Sequence, residues 1–263
     1  MLYQNKKSNK LKITFLGTGT SQGVPVIACD CNVCQSKDEK DKRLRSSIMV
    51  ETNDTTIVID SGPDFRQQML RENVKKLDAV VFTHEHKDHV AGLDDVRSFN
   101  YIQQKAMDVY ALERVNQALK REYAYVFSKD KYPGVPQLNL HNITDEKFTI
   151  KNVTITPIKV MHISLPILAY RINDFTYITD ASYISEEEKL KIKGSKILVV
   201  NALRKKKHFS HFCLSEALEL IKEINPEKAY ITHISHQMGL TKDIKNELPA
   251  NVALAYDGQQ III

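Results

Sequence analysis

The sequence His84-Glu85-His86-Lys87-Asp88-His89 indicates both the fold and the chemistry of this chain. It follows residues 77–83, an apolar and β-branched run that predicts a buried strand. Alternate side chains of an extended segment point to the same side, so His84 and His86 can bind one metal ion. If a helix begins at Asp88, then Asp88 and His89 can serve a second ion. Imidazole and carboxylate ligands suit zinc, manganese or iron. The alternative to a metal site is that residues 84–89 form a solvated loop rich in histidine.

The overall composition is that of an ordinary globular protein. Hydrophobic residues make up 42% and charged residues 26% of the 263 residues, enough for one large domain or two small ones. No stretch approaches the roughly 18 apolar residues of a transmembrane helix. Residues 1–10 are positively charged but lack the apolar segment of a secretion signal, so we expect a cytoplasmic protein without membrane partners. The net charge of +5 fits either a solvated surface or a preference for anionic substrates.

Three of the four cysteines, Cys29, Cys31 and Cys34, lie within six positions of each other. In a reducing compartment such a cluster indicates a metal site rather than a disulfide. Three thiolates need a fourth ligand to close a tetrahedral zinc site. Cys213 is a candidate for that ligand, although we expect it to be a buried thiol that binds nothing.

The rest of the sequence predicts many short strands around a helix-rich middle. Residues 17–25 are expected to form a glycine-rich structural turn, with a phosphate-binding loop as the alternative. Their G-x-G-x-x-x-G spacing differs from a dinucleotide-binding motif. Residues 91–127 are expected to be mostly helical and 128–137 to form a loop. We further expect helices at 65–71 and 215–224, and strands at 11–16, 47–52, 55–60, 77–83, 153–160, 169–172, 176–179, 197–201, 229–232, 252–255 and 261–263.

A histidine or an aspartate stands just beyond the last apolar residue of five predicted strands. Loops at strand ends are where a rigid scaffold presents reactive side chains. We therefore expect one site that includes Asp60, His84, His162, Asp180 and His233.

These features resemble the metallo-β-lactamase superfamily, whose H-x-H-x-D-H motif is matched by residues 84–89. The resemblance implies an α+β fold, a four-layer αββα sandwich, formed by residues 1–263 as a single domain. It implies two divalent metal ions bridged by Asp180, with Asp60 orienting a metal ligand from behind. The implied ligands of one ion are His84, His86 and His162, and those of the other are Asp88, His89 and His233.

A narrower resemblance is to the PhnP group of phosphoribosyl cyclic phosphodiesterases. It rests on residues 16–25 (LGTGTSQGVP), the cysteine cluster and residues 232–236 (THISH). It implies a separate structural zinc ion bound by Cys29, Cys31, Cys34 and His236, a ligand set that closes a tetrahedral site. It also implies that His211 is a catalytic proton donor, which suits a histidine because its pKa lies near neutrality. The alternative for His211 is a surface or helix-capping residue.

The implied activity is that of a metal-dependent phosphodiesterase acting on a cyclic or small nucleotide-like phosphodiester. The nucleophile would be a hydroxide activated by two manganese or zinc ions, with Asp88 and His211 taking part in catalysis. Arg97 is a candidate substrate-binding residue, with Asp94 or Asp95 as its alternative partner in a salt bridge. The expected partner is a small anionic phosphodiester; nucleic acid is less favoured, and a homodimer is compatible with the sequence.

Two groups of residues have open alternatives. The basic run at 204–207 could contact a phosphate, although a solvated surface is the expected role. Tyr101 and Tyr132 could stack on a base, although core packing is expected for both.

Other protein classes share the metal motif. A tRNA 3′-processing endonuclease would carry a long basic, glycine-rich arm, and none is evident. A flavodiiron-type redox protein would have glutamate in place of His86. Thiolester and β-lactam hydrolysis use the same ion chemistry, but the cysteine cluster argues against both. A binding module with an inactive site is least favoured, because no ligand position is substituted.

Overall fold

The computed structural model of this protein describes residues 10–263. The expectation that no secretion signal precedes the domain concerns residues 1–10, nearly all of which lie outside the described residues. Across residues 10–263, no helix combines the length and the apolar character needed to cross a membrane.

The described residues form strands and α-helices that alternate along the chain. The strands are β1 Lys12–Gly17, β2 Ser47–Glu51, β3 Thr56–Ile59, β4 Ala79–Val81, β5 Met107–Leu112, β6 Leu138–Ile143, β7 Phe148–Ile150, β8 Val153–His162, β9 Leu165–Ile172, β10 Phe175–Ile178, β11 Ile197–Asn201, β12 Lys228–Thr232, β13 Val252–Leu254 and β14 Gln260–Ile262. The α-helices are α1 Phe65–Arg71, α2 Lys87–Val90, α3 Arg97–Gln103, α4 Glu113–Glu122, α5 Ala124–Phe127, α6 Glu186–Ile192, α7 Leu214–Ile224 and α8 Thr241–Ile244.

The strands form two mixed sheets of seven strands each, in the orders β14-β1-β2-β3-β4-β5-β6 and β13-β12-β11-β10-β9-β8-β7. In the first sheet β3 to β6 run parallel, and in the second β10 to β13 run parallel. The other neighbouring strands are antiparallel. Side chains that follow the carboxyl ends of parallel strands meet at one edge of a sheet, where α/β proteins commonly bind ligands.

Three apolar clusters separate the layers. One lies between the two sheets and includes Phe15, Ile57 and Tyr170. A second packs the outer face of the second sheet against α6 and α7. A third packs the outer face of the first sheet against α1, α3 and α4. This helix–sheet–sheet–helix order confirms the predicted four-layer αββα sandwich of the α+β class.

Two contacts across the sheets fix the chain just after β4, where the histidine motif begins. The Tyr170 hydroxyl on β9 donates a hydrogen bond to the carbonyl oxygen of Phe82 (2.6 Å), and the Leu168 amide donates to the carbonyl oxygen of Thr83 (3.1 Å). Tyr170 is fully buried. The second sheet therefore sets the position of the segment that leads into His84.

The prediction for residues 91–127 was partly wrong. Strand β5 lies between α3 and α4, and its alternating burial is the period-two pattern of a strand. Strand β6 begins at Leu138, at the end of the predicted loop, and helix α6 was not predicted although Ser185 caps it through the Glu188 amide. The prediction that Tyr101 and Tyr132 pack in the core was also wrong, because the two side chains are 80% and 61% exposed.

Candidate metal centre

Two aspartates and one histidine that follow parallel strands have an unusual backbone conformation. Asp60 follows β3, Asp180 follows β10 and His233 follows β12, with φ of 65°, 59° and 55°. Residues other than glycine rarely adopt positive φ, and such residues cluster at functional sites where the surrounding structure holds them. The turn at each strand end brings the three side chains to the shared edge of the two sheets.

The histidine motif has the predicted change from extended chain to helix. His86 is extended, with φ −62° and ψ 148°, and α2 begins at the next residue. His84 Nε2 lies 3.0 Å from His86 Nδ1, so the two nitrogens face each other. Thr83 Oγ1 lies 3.0 Å from His84 Nδ1 while it donates to Asp60. A proton on His84 Nδ1 therefore points to Thr83, which leaves the lone pair of Nε2 directed into the cluster.

His89 is held from behind by Asp60. The two side chains are fully buried, and His89 Nδ1 donates to Asp60 Oδ2 at 2.7 Å. The Thr83 amide also donates to this carboxylate (2.9 Å). His89 Nε2 then faces Asp88 and Asp180 at 3.2 and 3.3 Å, and it is buried without a hydrogen-bond partner among the described residues. An unpaired buried nitrogen among carboxylates fits a metal ligand.

Asp180 lies at the centre of the cluster. Its Oδ1 is 2.8 Å from His233 Nδ1, and its Oδ2 is 3.7 Å from His84 Nε2. Each of the three ligand groupings found here contains Asp180: with His84 and His89, with His162 and His211, and with Asp88 and His233.

The charges of the cluster favour a cation. Burial alone would lower the pKa of His89, but Asp180, Asp88 and Asp60 hold it well above its ordinary value. Burial also opposes ionisation of Asp180, yet His233 and His89 keep the pKa of that carboxyl well below its usual range. A proton on His89 thus occupies the position where a divalent cation would balance the carboxylates. The residues present fit such an ion.

His162 and His211 lie on the side of the cluster next to the loop before α7. His162 Nδ1 is 2.9 Å from the carbonyl oxygens of both Asp180 and Ser210. Because a carbonyl only accepts, His162 carries its proton on Nδ1 and presents Nε2 as a lone pair. The His211 ring lies 4.8 Å from the rings of His162 and His233, and its buried Nδ1 has no hydrogen-bond partner within residues 10–263. Burial, with His233 next, lowers the pKa of His211 to about 3.

The cysteine cluster and His236 form a second group of ligands. The Sγ atoms of Cys29, Cys31 and Cys34 lie 3.3, 3.4 and 3.5 Å from His236 Nδ1. Ligands on a tetrahedral zinc ion, at about 2.3 Å for sulfur and about 2.0–2.1 Å for nitrogen, lie roughly 3.5 Å apart. The near-equal distances therefore fit one ion at a common centre.

The backbone around the cysteines favours ionised sulfur at one position. The Cys34 amide donates to Cys31 Sγ, which lowers the pKa of Cys31 to about 6. Burial raises the pKa of Cys34 to about 11. The Val26 amide donates to Cys34 Sγ (3.3 Å), so both sulfurs receive backbone hydrogen bonds as metal thiolates commonly do.

The two groups are joined through residues 233–236. The amide of Ile234 donates to the carbonyl oxygen of Thr18, and the Thr20 amide donates to the carbonyl oxygen of Ile234. Thus the glycine-rich turn, the cysteine loop and the strand end that carries His233 pack as one unit.

Other predicted residues lie outside both groups. Arg97 is exposed and its Nη1 is 3.4 Å from Asp94 Oδ2, the alternative partner expected from the sequence. Cys213 is buried and caps α7, and its Sγ lies 3.2 Å from Ser215 Oγ. In the basic run, Arg204 donates to Gln237, while Lys205 and Lys207 lie 2.6 and 3.4 Å from Glu247 and Glu216.

Sequence reasoning missed several residues that support the cluster. Thr83 links Asp60 to His84, and its position between a strand and the first histidine is a signal that could have been used. Ser210 contributes only a backbone carbonyl, which no side-chain pattern reveals. Glu85, inside the motif, is paired with Arg114 on α4, a contact made across the fold.

Comparison with known proteins agrees with this geometry. Residues 55–234 match the sequence family described as the beta-lactamase superfamily domain. A crystal structure described as a new diphosphatase from the PhnP family is 38% identical, with a TM-score of 0.91 and 97% of each chain covered. The short form of human tRNase Z is 16% identical, with a TM-score of 0.66 over 95% of this chain and 98% of that one. At that identity the likeness concerns the fold alone.

A curated relative carries a different name. An octanoyltransferase from Porphyromonas gingivalis is 40% identical over 96% of this chain and 52% of its own length. This chain thus spans about half the length of the curated relatives it matches. The family match and the PhnP-family structure together establish the assignment. The chain belongs to the superfamily of metallo-β-lactamase-fold hydrolases and resembles its PhnP family.

Proposed function

We propose that this protein is a metal-dependent phosphodiesterase that hydrolyses a small cyclic or nucleotide-like phosphodiester. The observation that carries the proposal is the convergence of imidazole nitrogens and carboxylate oxygens on Asp180, with the His211 ring beside them. The PhnP-family diphosphatase supports hydrolysis at phosphorus, because it is similar over nearly the whole chain.

The proposed catalytic ligands form two sets that share Asp180. The first set is His84, His86 and His162, and the second is Asp88, His89 and His233. Two manganese or zinc ions held there would supply an activated water at neutral pH and stabilise charge on phosphoryl oxygens. We also propose a structural zinc ion at Cys29, Cys31, Cys34 and His236, since the donor spacing fits that ion.

The chain's own residues have distinct tasks in this proposal. Asp60 and the carbonyl oxygen of Ser210 fix the tautomers of His89 and His162, so that each presents Nε2. Although burial opposes it, His89 keeps the pKa of Asp88 below its usual range. Asp88 therefore stays ionised and can accept a hydrogen bond from the attacking water.

His211 is the proposed proton donor to the leaving oxygen. Its low pKa means that the free ring is neutral at neutral pH. A phosphate anion beside the ring raises that pKa, because a nearby negative charge favours the protonated form. The protonated ring then donates a hydrogen bond to the leaving oxygen, transfers its proton as negative charge develops there, and returns to the neutral form.

Diphosphate hydrolysis is a second candidate, favoured by the activity named for the PhnP-family structure. An acyl substrate is suggested by the name octanoyltransferase. About half of that relative lies outside the match, so its named activity is not assigned to the matching half.

A substrate panel separates these candidates. The manganese- and zinc-loaded protein is assayed with bis-p-nitrophenyl phosphate, a nucleoside 2′,3′-cyclic phosphate, ADP and an octanoyl thiolester. We expect cleavage of the phosphodiesters that requires added metal. Hydrolysis of the thiolester with no cleavage of any phosphorus substrate would refute the proposal.

Variants of His211 test its assigned role. His211→Ala should slow turnover by about 100-fold or more while metal content stays unchanged. His211→Gln keeps a hydrogen-bond donor but cannot transfer a proton, so it should recover little of that loss. Loss of metal in His211→Ala would mean that the residue is a ligand instead.

A further inference from the structure

Three large apolar side chains in or next to the segments that carry His162 and His211 are exposed to solvent. The exposed fractions of Ile163, Tyr183 and Phe209 are 52%, 58% and 76%. The Ile163 amide donates to Ser182 Oγ (3.0 Å), which places Ile163 next to Tyr183. Ile163 follows His162 in the chain and Phe209 precedes Ser210, whose carbonyl oxygen accepts from His162. Exposed apolar side chains next to a polar site are available to contact an apolar part of a ligand.

Phe209 is the outermost ring of a stack that leads to the cluster. Its ring lies 4.6 Å from the His208 ring at 28°, and the His208 ring lies 5.6 Å from the His211 ring at 23°. His211 in turn lies 4.8 Å from His162. The near-parallel rings present an open aromatic face at the end of a series that begins at the proposed reaction centre.

Hydrogen bonds hold this stack in place. His208 Nδ1 accepts from the Ser210 amide (3.3 Å) and lies 2.9 Å from Ser210 Oγ. The carbonyl oxygen of the same serine accepts from His162 Nδ1. Ser210 therefore connects His208, the ring that supports Phe209, to the proposed metal ligand His162. Because these contacts hold the aromatic face in place, it needs little reordering to bind a planar group.

We infer that Phe209, supported by His208, stacks on the nucleobase of a nucleotide substrate whose phosphate lies at the histidine cluster. The inference rests on the proposed function and narrows its substrate class to phosphodiesters or diphosphates that carry a nucleoside. A phenyl ring suits this role because every base has a π face, so stacking tolerates different bases.

Calorimetric titration of the zinc-loaded protein with AMP and with ribose 5-phosphate tests the inference. The two probes share a phosphate and a ribose, and only AMP has a base. The wild type should bind AMP more tightly, and Phe209→Ala should weaken AMP binding by about five- to 150-fold, more than it weakens ribose 5-phosphate binding. Phe209→Trp should keep the preference for AMP. Leu190→Ala is the control, because Leu190 is 63% exposed on the outer helix α6.

Three results would overturn the inference: binding of neither probe by the wild type, equal affinity for both, or an unchanged preference in Phe209→Ala. The titration measures binding without turnover, so it separates this inference from the proposed function. A protein that binds AMP through Phe209 but cleaves no phosphorus substrate would refute the function alone.

Discussion

Replacing Asp60 with Asn should weaken metal binding although Asp60 contacts no ion in the proposed ligand set. Asp60 Oδ1 accepts from the Thr83 amide, and Oδ2 accepts from His89 Nδ1. The Thr83 amide can only donate, so the side-chain oxygen of the introduced asparagine must stay with Thr83 and its NH₂ group must face His89. Asparagine also tolerates the positive φ of this position, so the backbone need not move.

The consequence is a change of tautomer in His89. Its Nδ1 would have to accept, which moves the proton to Nε2, the nitrogen that faces Asp88 and Asp180. Loss of such an orienting partner typically weakens metal binding by about 10- to 100-fold. That corresponds to about 1.4–2.7 kcal/mol.

Metal titration into the metal-free protein measures the affinity, and long-range ¹H–¹⁵N spectra report the His89 tautomer. Asp78→Asn is the control, because Asp78 is a buried carboxylate paired with Lys151 away from the cluster. We expect Asp78→Asn to keep wild-type metal affinity. If Asp60→Asn folds cooperatively and binds metal as tightly as the wild type, the assigned role of Asp60 is wrong.

Three further predictions concern stability. His236→Ala should remove one zinc ion per chain and lower the thermal midpoint by about 4–12 °C, as expected when the free energy of unfolding falls by about 2–3 kcal/mol in a chain of this size. His141→Ala is the control: this partly exposed histidine is paired with Asp108, and its loss should change neither metal content nor midpoint. Tyr170→Phe should cost about 1–2 kcal/mol in urea unfolding because it leaves the Phe82 carbonyl oxygen without this donor. Tyr177→Phe should cost less, because it removes a buried hydroxyl that has no hydrogen-bond partner in the part of the chain that the structure describes. The pKa of Asp78 is lowered: burial opposes this shift, but Lys151 outweighs it. Its contribution to the free energy of unfolding should therefore be present above about pH 4 and disappear as the pH falls below that value, so the stability gap between wild type and Asp78→Asn, measured by urea unfolding, should close in acid.

Much of the fold could be predicted from local sequence patterns, because the strands have clear boundaries. The apolar run before His84 and the turn into α2 are both visible in a few residues. The site residues at the end of β8 and just after β3, β10 and β12 were predicted from strand ends alone. The period-two burial of β5 was visible too, but the flanking helices led to a helical interpretation of the whole segment.

The hydrogen bonds that orient the histidines of the site could not be predicted from the sequence. The hydrogen bond between His89 and Asp60 joins residues 29 positions apart, and that between His162 and Ser210 joins residues 48 positions apart. Such partners depend on how the sheets pack, so the sequence alone could not indicate which nitrogen of each histidine faces the cluster. The stacking of His208 between Phe209 and His211 likewise arises from the loop conformation, which no local sequence pattern indicates.

Hydrolysis in ¹⁸O-labelled water, followed by ³¹P NMR, tests the central claim most directly. With a nucleoside 2′,3′-cyclic phosphate and added manganese or zinc, we predict metal-dependent turnover with one ¹⁸O atom bound to phosphorus in the product. Attack at phosphorus requires that label, because water supplies the new oxygen. Absence of turnover with either metal, or label found on carbon instead of phosphorus, would contradict the account.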